Sequence, residues 1–302
     1  MNRSFLFFVS FIVFCNLSYC QRKVWKLIWS DEFNYSGLPD TTKWGFFEGY
    51  PHDFEKQYCT KKRLSNAKVE NGCLIITARK EEFVNKLATD YERQNHGVDI
   101  PIKYRNIPSD SVPAWVKNRF DRKASYTSAF LESKQKAQWN FGRIDVRAKL
   151  PRGLGTWPAI WMMGSVFPKT KWPDCGEIDI MEHLGWDSLR IHSNVHFGNS
   201  AEKEASHKGI ISSNDLSSTF HVYSIEWNSE EIVFYFDNKA YNTFKISDAD
   251  RVIIQNGALV KNNPFKSEFY LILNFALGGW GGKIDDSILP QDFRIDYVRV
   301  YQ

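Results

Sequence analysis

The sequence predicts an all-β chain folded as a two-sheet β-sandwich. Three observations carry this. Apolar and polar residues alternate along most of the chain, no 3.6-residue apolar pattern persists over several turns, and Asn71-Gly72 separates two alternating runs, the strongest short hairpin signal present. Of 302 residues, 43% are hydrophobic, and the 11 Trp, 13 Tyr and 23 Phe give far more aromatic surface than a disordered chain carries.

Taken in order, the first twenty residues stand apart. Arg3 precedes an apolar run, Phe5 to Cys15, too short to span a bilayer, and a polar stretch ends at Cys20. This reads as a secretory signal cleaved after Cys20, which places the protein outside the cell or in the periplasm. The rival is a lipoprotein signal, Leu17-Ser18-Tyr19-Cys20, with Cys20 retained and acylated in an outer membrane; bulky Tyr19 argues against it. No later run is long enough to cross a membrane.

Candidate strands then follow at 27–33, 68–80 about the Asn71-Gly72 turn, 126–138, 142–150, 159–164, 176–184, 190–197, 220–227, 231–237, 241–246, 269–277 and 293–301. About a dozen strands need two sheets, and no linker, repeat or low-complexity tract divides residues 21–302, so one domain is expected. Residues 81–123 break the rhythm with dense charge and Pro101, Pro108 and Pro113. Such an excursion is either a binding wall, using Tyr104 and Trp115, or a solvated insertion with a short helix at 112–119.

The net charge of +4, or +3 once Arg3 leaves with the signal, is slight, and no Lys/Arg block interleaves with the aromatics. Nucleic acid is not an expected partner. Of five cysteines, three lie beyond residue 20; Cys59 and Cys73 could form a bridge, while Cys175 sits in the most informative segment. With no Cys-x-x-Cys pair, structural zinc is not expected.

That segment is Trp172-Pro173-Asp174-Cys175-Gly176-Glu177-Ile178-Asp179-Ile180-Met181-Glu182-His183. On a regular strand Glu177 and Asp179 share a face, whereas Glu182, five positions after Glu177, points to the other. A β-bulge near Ile180-Met181 returns Glu182 to the first face and lines three carboxylates along one surface. A row of like charges is costly, and at least one member should keep its proton at higher pH than usual. Cutting a glycosidic bond uses that arrangement, because it needs one ionised carboxylate and one protonated carboxyl. About four strand rises of roughly 3.3 Å separate the two Glu backbones by about 13 Å. Side chains converging from a concave sheet could bring the carboxyls toward the roughly 5–5.5 Å of a retaining enzyme. The bland alternative is strand acids facing water or holding a cation. Nearby Trp157, Trp161 and Trp172 weigh against it, because indole faces stack on sugar rings.

Taken together, these residues resemble glycoside hydrolase family 16 and, within it, the bacterial laminarinase-like endo-β-1,3(4)-glucanases. The resemblance runs through Ile28-Trp29-Ser30-Asp31-Glu32-Phe33, Val69-Glu70-Asn71-Gly72, Ile76-Thr77-Ala78-Arg79-Lys80, Tyr126-Thr127-Ser128-Ala129 and Phe141-Gly142-Arg143. It continues through Trp157-Pro158-Ala159-Ile160-Trp161-Met162, the acidic motif, Phe220-His221, Ile225-Glu226-Trp227, Leu271-Ile272-Leu273-Asn274 and Ile295-Asp296-Tyr297-Val298-Arg299-Val300-Tyr301. It implies a concanavalin-like jelly roll with an open concave cleft for the middle of a polysaccharide, and a monomer. It implies Glu177 as nucleophile, Glu182 as acid/base and Asp179 as the helper that tunes the nucleophile. Trp157, Trp161, Arg79 and His196 match positions on the sugar side, and Trp172 joins them. Glu32, Gly72 and Asp296 match positions that hold a structural calcium away from the cleft. Catalysis needs no cofactor. His192 and His196 share a strand face, yet no third metal ligand is apparent beside them.

One departure is Asp53-Phe54-Glu55-Lys56-Gln57-Tyr58, where relatives usually carry Asn-Asn-Glu-x-Gln-Tyr, which alters the outer sugar contacts. The expected activity is a secreted retaining endo-β-glucanase on β-1,3-glucan or mixed β-1,3/1,4-glucan. Its rivals are a red-algal galactan hydrolase acting on agar, porphyran or carrageenan, a non-catalytic lectin-like sandwich, and a transglycosylase. Sulfated galactans would need Arg or Lys beside the acids, and only Lys169, Lys171 and Arg190 lie near.

Overall fold

The computed structural model describes residues 24–51, 55–86, 123–198, 204–214, 216–255 and 258–302. The secretory segment with Cys20, and Tyr104, Trp115 and the 112–119 helix, lie outside the described residues. Among the described residues twenty strands occur in chain order: β1 Leu27–Asp31, β2 Gly45–Phe46, β3 Tyr58–Cys59, β4 Ala67–Glu70, β5 Cys73–Val84, β6 Lys123–Ser128, β7 Phe130–Glu132, β8 Gly142–Lys149, β9 Thr156–Gly164 and β10 Glu177–His183. They continue as β11 Arg190–Gly198, β12 Glu204–Ser206, β13 Gly209–Ser212, β14 His221–Trp227, β15 Glu231–Phe236, β16 Lys239–Lys245, β17 Arg251–Gln255, β18 Ala258–Asn262, β19 Phe269–Leu277 and β20 Gln291–Tyr301.

Two large sheets form the jelly-roll sandwich. One runs β16-β15-β14-β8-β20-β5-β6-β3, with β1 on β20 and β4 on β5; the other runs β12-β11-β10-β9-β19-β7-β2, with β13 on β11. Alternation decides what lies between them. On β8, Ile144, Val146 and Ala148 are buried while Arg143, Asp145, Arg147 and Lys149 are half-exposed on the outer face. One continuous apolar core joins these residues to Ile160, Met162, Ile178, Ile180, Met181, Leu271, Leu273 and Phe275 of the second sheet. Between β4 and β5, Asn71 (φ 52°) and Gly72 (φ 73°) both take left-handed backbone, as a two-residue type I′ hairpin demands.

Three expectations are corrected here. The excursion begins later than residue 81, because Phe83 and Val84 still pair with Ala124 and Lys123 as the ends of β5 and β6. Cys59 and Cys73 form no bridge: Cys59 is buried on β3 beside Trp161 and Cys175, whereas Cys73 opens β5 opposite Glu70, and all three described cysteines are free thiols. The set Glu32, Gly72 and Asp296 does not fit calcium through its carboxylates. Arg299 donates to both Glu32 oxygens at 3.0 and 2.8 Å, and Arg147 to Asp296 at 2.6 Å, so those charges are already compensated on the outer face.

Candidate active site

The eight-stranded sheet turns one face to the core and leaves the other open, and strand register assigns every side chain of β9, β10 and β11 to one of them. Glu177 pairs with Met163 and His196, Asp179 with Trp161 and Asn194, and Glu182 with Ala159 and His192. The register slips between Asp179 and Glu182 on both sides of β10. Ile180 and Met181 are 1% and 0% exposed and both pack into the main core. Two successive residues facing inward is a β-bulge, and it returns Glu182 to the face of Glu177 and Asp179. The bulge expected from residue parity is therefore present, at the expected pair. Just before β10, Gly176 has φ 80°, and a Cβ there would lie 2.8 Å from both Phe269 and Pro264, so only glycine lets the chain enter the strand.

The open face is chemically unlike the rest of the surface. Trp157 donates its indole N–H to Glu182 Oε1 at 2.9 Å. His196 Nε2 lies 3.3 Å from Asp179 Oδ2 and 3.9 Å from Glu177 Oε1, and its Nδ1 lies 2.6 Å from Glu204. Asp179 is 3% exposed. Burial, reinforced by the Glu182 charge, pushes its carboxyl well above the usual range, and a hydrogen bond with Glu177 only partly opposes this. Asp179 thus holds its proton to higher pH than an ordinary carboxyl does, beside Glu177 with which it shares a hydrogen bond. Burial also pushes His192 down, giving a neutral imidazole. Asp179 Oδ2, His192 Nε2 and Asn194 Oδ1 are buried polar atoms with no hydrogen-bond partner, all on this one face. Buried polar atoms are normally satisfied, so three without a hydrogen bond in neighbouring positions leave this face able to bond a polar ligand.

Aromatic rings close both ends. Near Glu182, Trp157 meets Trp280 edge-on at 5.9 Å, Trp280 lies 5.0 Å from the His192 ring, and Trp186 donates to the Trp280 carbonyl at 2.9 Å. Near Glu177, Trp172 is 42% exposed and sits 5.9 Å from the His196 ring. Two sugar-side expectations change. Trp161 shares the face of the acids but is only 5% exposed, with its N–H donated to Asn274 at 2.8 Å and its ring edge-on to Phe130, so it is floor and not a stacking platform. Arg79 lies on β5 of the other sheet, opposite Thr127 and 3.9 Å from Glu81, and among the described residues no contact joins it to the acids. Position on a motif said nothing of which sheet a strand joins.

Sequence reasoning missed Trp280, Trp186, Asn194 and Glu204. Trp280 had a readable signal: Gly278-Gly279 and Gly281-Gly282 flank it, and a large ring between glycines cannot be regular strand. Of the altered segment, Asp53 and Phe54 lie outside the described residues; Glu55 and Gln57 are 2% and 0% exposed, and the Gln57 side-chain Oε1 accepts from the Leu277 N–H at 2.7 Å, fastening this part of the chain to the end of β19.

An open-faced β-sandwich with a bulged carboxylate row between indole rings defines a class of carbohydrate-active protein. Residues 54–263 match the model of glycosyl hydrolases family 16, and the chain belongs to that family. It is 36% identical to a beta-glucanase of Rhodothermus marinus over 323 aligned residues, covering all of this chain and 95% of that protein. The X-ray structure of the laminarinase from Rhodothermus marinus superposes with a TM-score of 0.71 at 36% identity, over 92% of this chain and 98% of that one. A keratan-sulfate endo-1,4-beta-galactosidase of Sphingobacterium multivorum is 31% identical over 92% of this chain, which spans 55% of that protein.

Proposed function

We propose that this glycoside hydrolase is a secreted, monomeric, retaining endo-β-glucanase that cuts β-1,3-glucan or mixed β-1,3/1,4-glucan. The observation that supports it most is the bulge at Ile180-Met181, which puts Glu177, Asp179 and Glu182 on one open face. In this reading Glu177 attacks the anomeric carbon while the glycosidic C–O bond breaks and protonated Glu182 gives its proton to the departing oxygen. Glu182 then takes a proton from water, whose oxygen displaces Glu177 and frees the sugar. The proton held by Asp179 is shared with Glu177 in the resting enzyme and steadies its charge as the glycosyl-enzyme breaks down. Trp157 fixes one oxygen of Glu182 and so sets the direction in which its carboxyl meets the substrate. Trp280 and Trp172 mark the two ends of the sugar path. Export rests on the apolar segment after Arg3 and the Cys20 boundary.

The similarity to a beta-glucanase and a laminarinase favours glucan. The galactosidase relative keeps a galactan reading in view, but the cations near the acidic motif do not form an anion cradle. Arg190 pairs with Asp187 at 3.4 Å, Arg251 is engaged by Asp174, and Lys169 and Lys171 are exposed. Reducing ends released from laminarin, barley β-glucan, agarose and keratan sulfate decide between them. Release from either galactan alone overturns the glucan assignment, and release from none leaves a sugar-binding sandwich.

A further inference from the structure

The cluster on the Glu177 side of the site has a feature that glycosidic cleavage does not require. The Glu177 and Asp179 carboxylates and an imidazole nitrogen of His196 place one donor atom each within 4.8 Å of one another. The Asp179 Oδ2 to His196 Nε2 separation is 3.3 Å and the Glu177 Oε1 to His196 Nε2 separation is 3.9 Å. Ligand atoms about 2.0–2.1 Å from a tetrahedral Zn²⁺ lie roughly 3.3 Å apart, so little movement separates this arrangement from three sides of a zinc site. Asp179 Oδ2 is buried and has no hydrogen-bond partner, so an oxygen already stripped of water points into the cluster. Behind the ring, His196 Nδ1 lies 2.6 Å from the Glu204 carboxylate. That contact holds the N–H on Nδ1 and leaves Nε2 as the unprotonated nitrogen beside the acids, the carboxylate–histidine arrangement found behind zinc-bound imidazoles.

We infer that Glu177, Asp179 and His196 form a site for a divalent transition ion such as Zn²⁺, with Asp179 releasing its proton to solvent as the ion binds and Glu204 as the outer partner of His196, and that occupancy blocks the enzyme. One nitrogen and two carboxylate donors suit Zn²⁺ or Cu²⁺; Ca²⁺ takes six to eight oxygens and Mg²⁺ an octahedral oxygen shell, so neither fits. The Asn194 amide donates to the same Nε2 at 2.8 Å, and an ion takes its place by turning that amide aside. The fourth position faces the cleft and stays open to water. Inhibition rests on the proposed role of Glu177, because an ion on that carboxylate removes the electron pair that attacks the sugar; the binding itself does not.

Calorimetric titration of the protein with ZnCl2, and separately with MgCl2 and CaCl2, tests this without substrate. One Zn²⁺ per chain is expected, with no heat from the other two at equal concentration. H196A should weaken zinc binding more than 100-fold, and E204Q, which leaves all three ligands, by about 10–100-fold. Thermal melting of both variants confirms folding. C73S should leave binding intact; loss of zinc in C73S, or unchanged affinity in H196A and E204Q, overturns the site. With laminarin, Zn²⁺ should inhibit competitively and EDTA should restore the rate. Zinc bound by a protein that cleaves no polysaccharide sinks the glucanase reading and keeps the site; cleavage that ignores bound zinc sinks the inhibition.

Discussion

Trp157 and Glu182 stand on adjacent antiparallel strands, and the indole N–H of the first reaches the carboxylate of the second at 2.9 Å. A carboxylate with one oxygen fastened in this way presents the other in a single direction. In the proposed mechanism Trp157 therefore orients Glu182 as well as contacting the sugar. W157F keeps the ring and deletes the donor. A hydrogen bond to a charged group is worth about 1.5–3 kcal/mol, so kcat on laminarin should fall by roughly 10–100-fold with little change in KM. A change confined to KM would make Trp157 a platform only.

Glu182 is assigned the proton that the leaving sugar needs. E182Q should lower kcat on laminarin by about 10²–10⁴-fold. An aryl β-glucoside whose phenol leaves unaided should still react with Glu177 at nearly the wild-type rate, so a burst of phenol followed by slow turnover is expected in stopped-flow absorbance. Equal losses on both substrates would remove Glu182 from the acid/base role.

In the proposed mechanism Asp179 couples catalysis to stability with opposite signs. Its folded carboxyl titrates above the ordinary value of 3.8, so the folded state holds the proton more tightly than the unfolded chain. That preference favours folding at low pH, and its benefit is lost as pH rises from the unfolded value through the higher folded one. Asn at this position never ionises. D179N should melt a few degrees above the wild type at pH 8, lose that advantage near pH 4, and turn over far more slowly at every pH. A variant melting below wild type at pH 8 contradicts the protonation assigned here.

Met181 is wholly buried, although it neighbours a catalytic candidate. M181A should cost about 2–5 kcal/mol in urea unfolding, the usual range for a buried Met truncated to Ala. It should also lower kcat, because the bulge that aims Glu182 loses its inward anchor. Full activity in a destabilised variant would show that backbone pairing alone holds the bulge.

The described cysteines are unbridged, and Cys59 and Cys175 are buried. Millimolar dithiothreitol should leave the melting temperature unchanged; a drop would require a disulfide that the described strands do not contain.

Much of this was legible because it depends on period. Alternation identifies β8, β14, β15 and β20 within a residue or two, and counting faces along Glu177, Asp179 and Glu182 locates the bulge. What depends on partner choice was hidden. Gly45–Phe46 and Tyr58–Cys59 are two-residue strands, too short to show alternation, and are set by Leu131 and Thr127 beside them. Arg79 and Trp161 belong to motifs on the page of the sequence, but exposure follows from neighbours such as Phe130 and Asn274 that arrive from distant segments. His196 illustrates the same limit: its spacing from His192 shows no third ligand, while cross-strand pairing delivers Glu177 and Asp179.

The doublet Ile180-Met181 has a consequence for how such a protein can change. Both side chains are locked in the same apolar interior that welds the two layers, and both also fix where Glu182, five positions after Glu177, emerges. Drift that loosens the interior is felt at once as misaligned chemistry, and drift that retunes the chemistry through this pair is felt as melting. A lineage exploring new polysaccharides is thus steered away from the bulge and toward the rim, where Trp172, Trp186 and Trp280 can be exchanged without disturbing the weld.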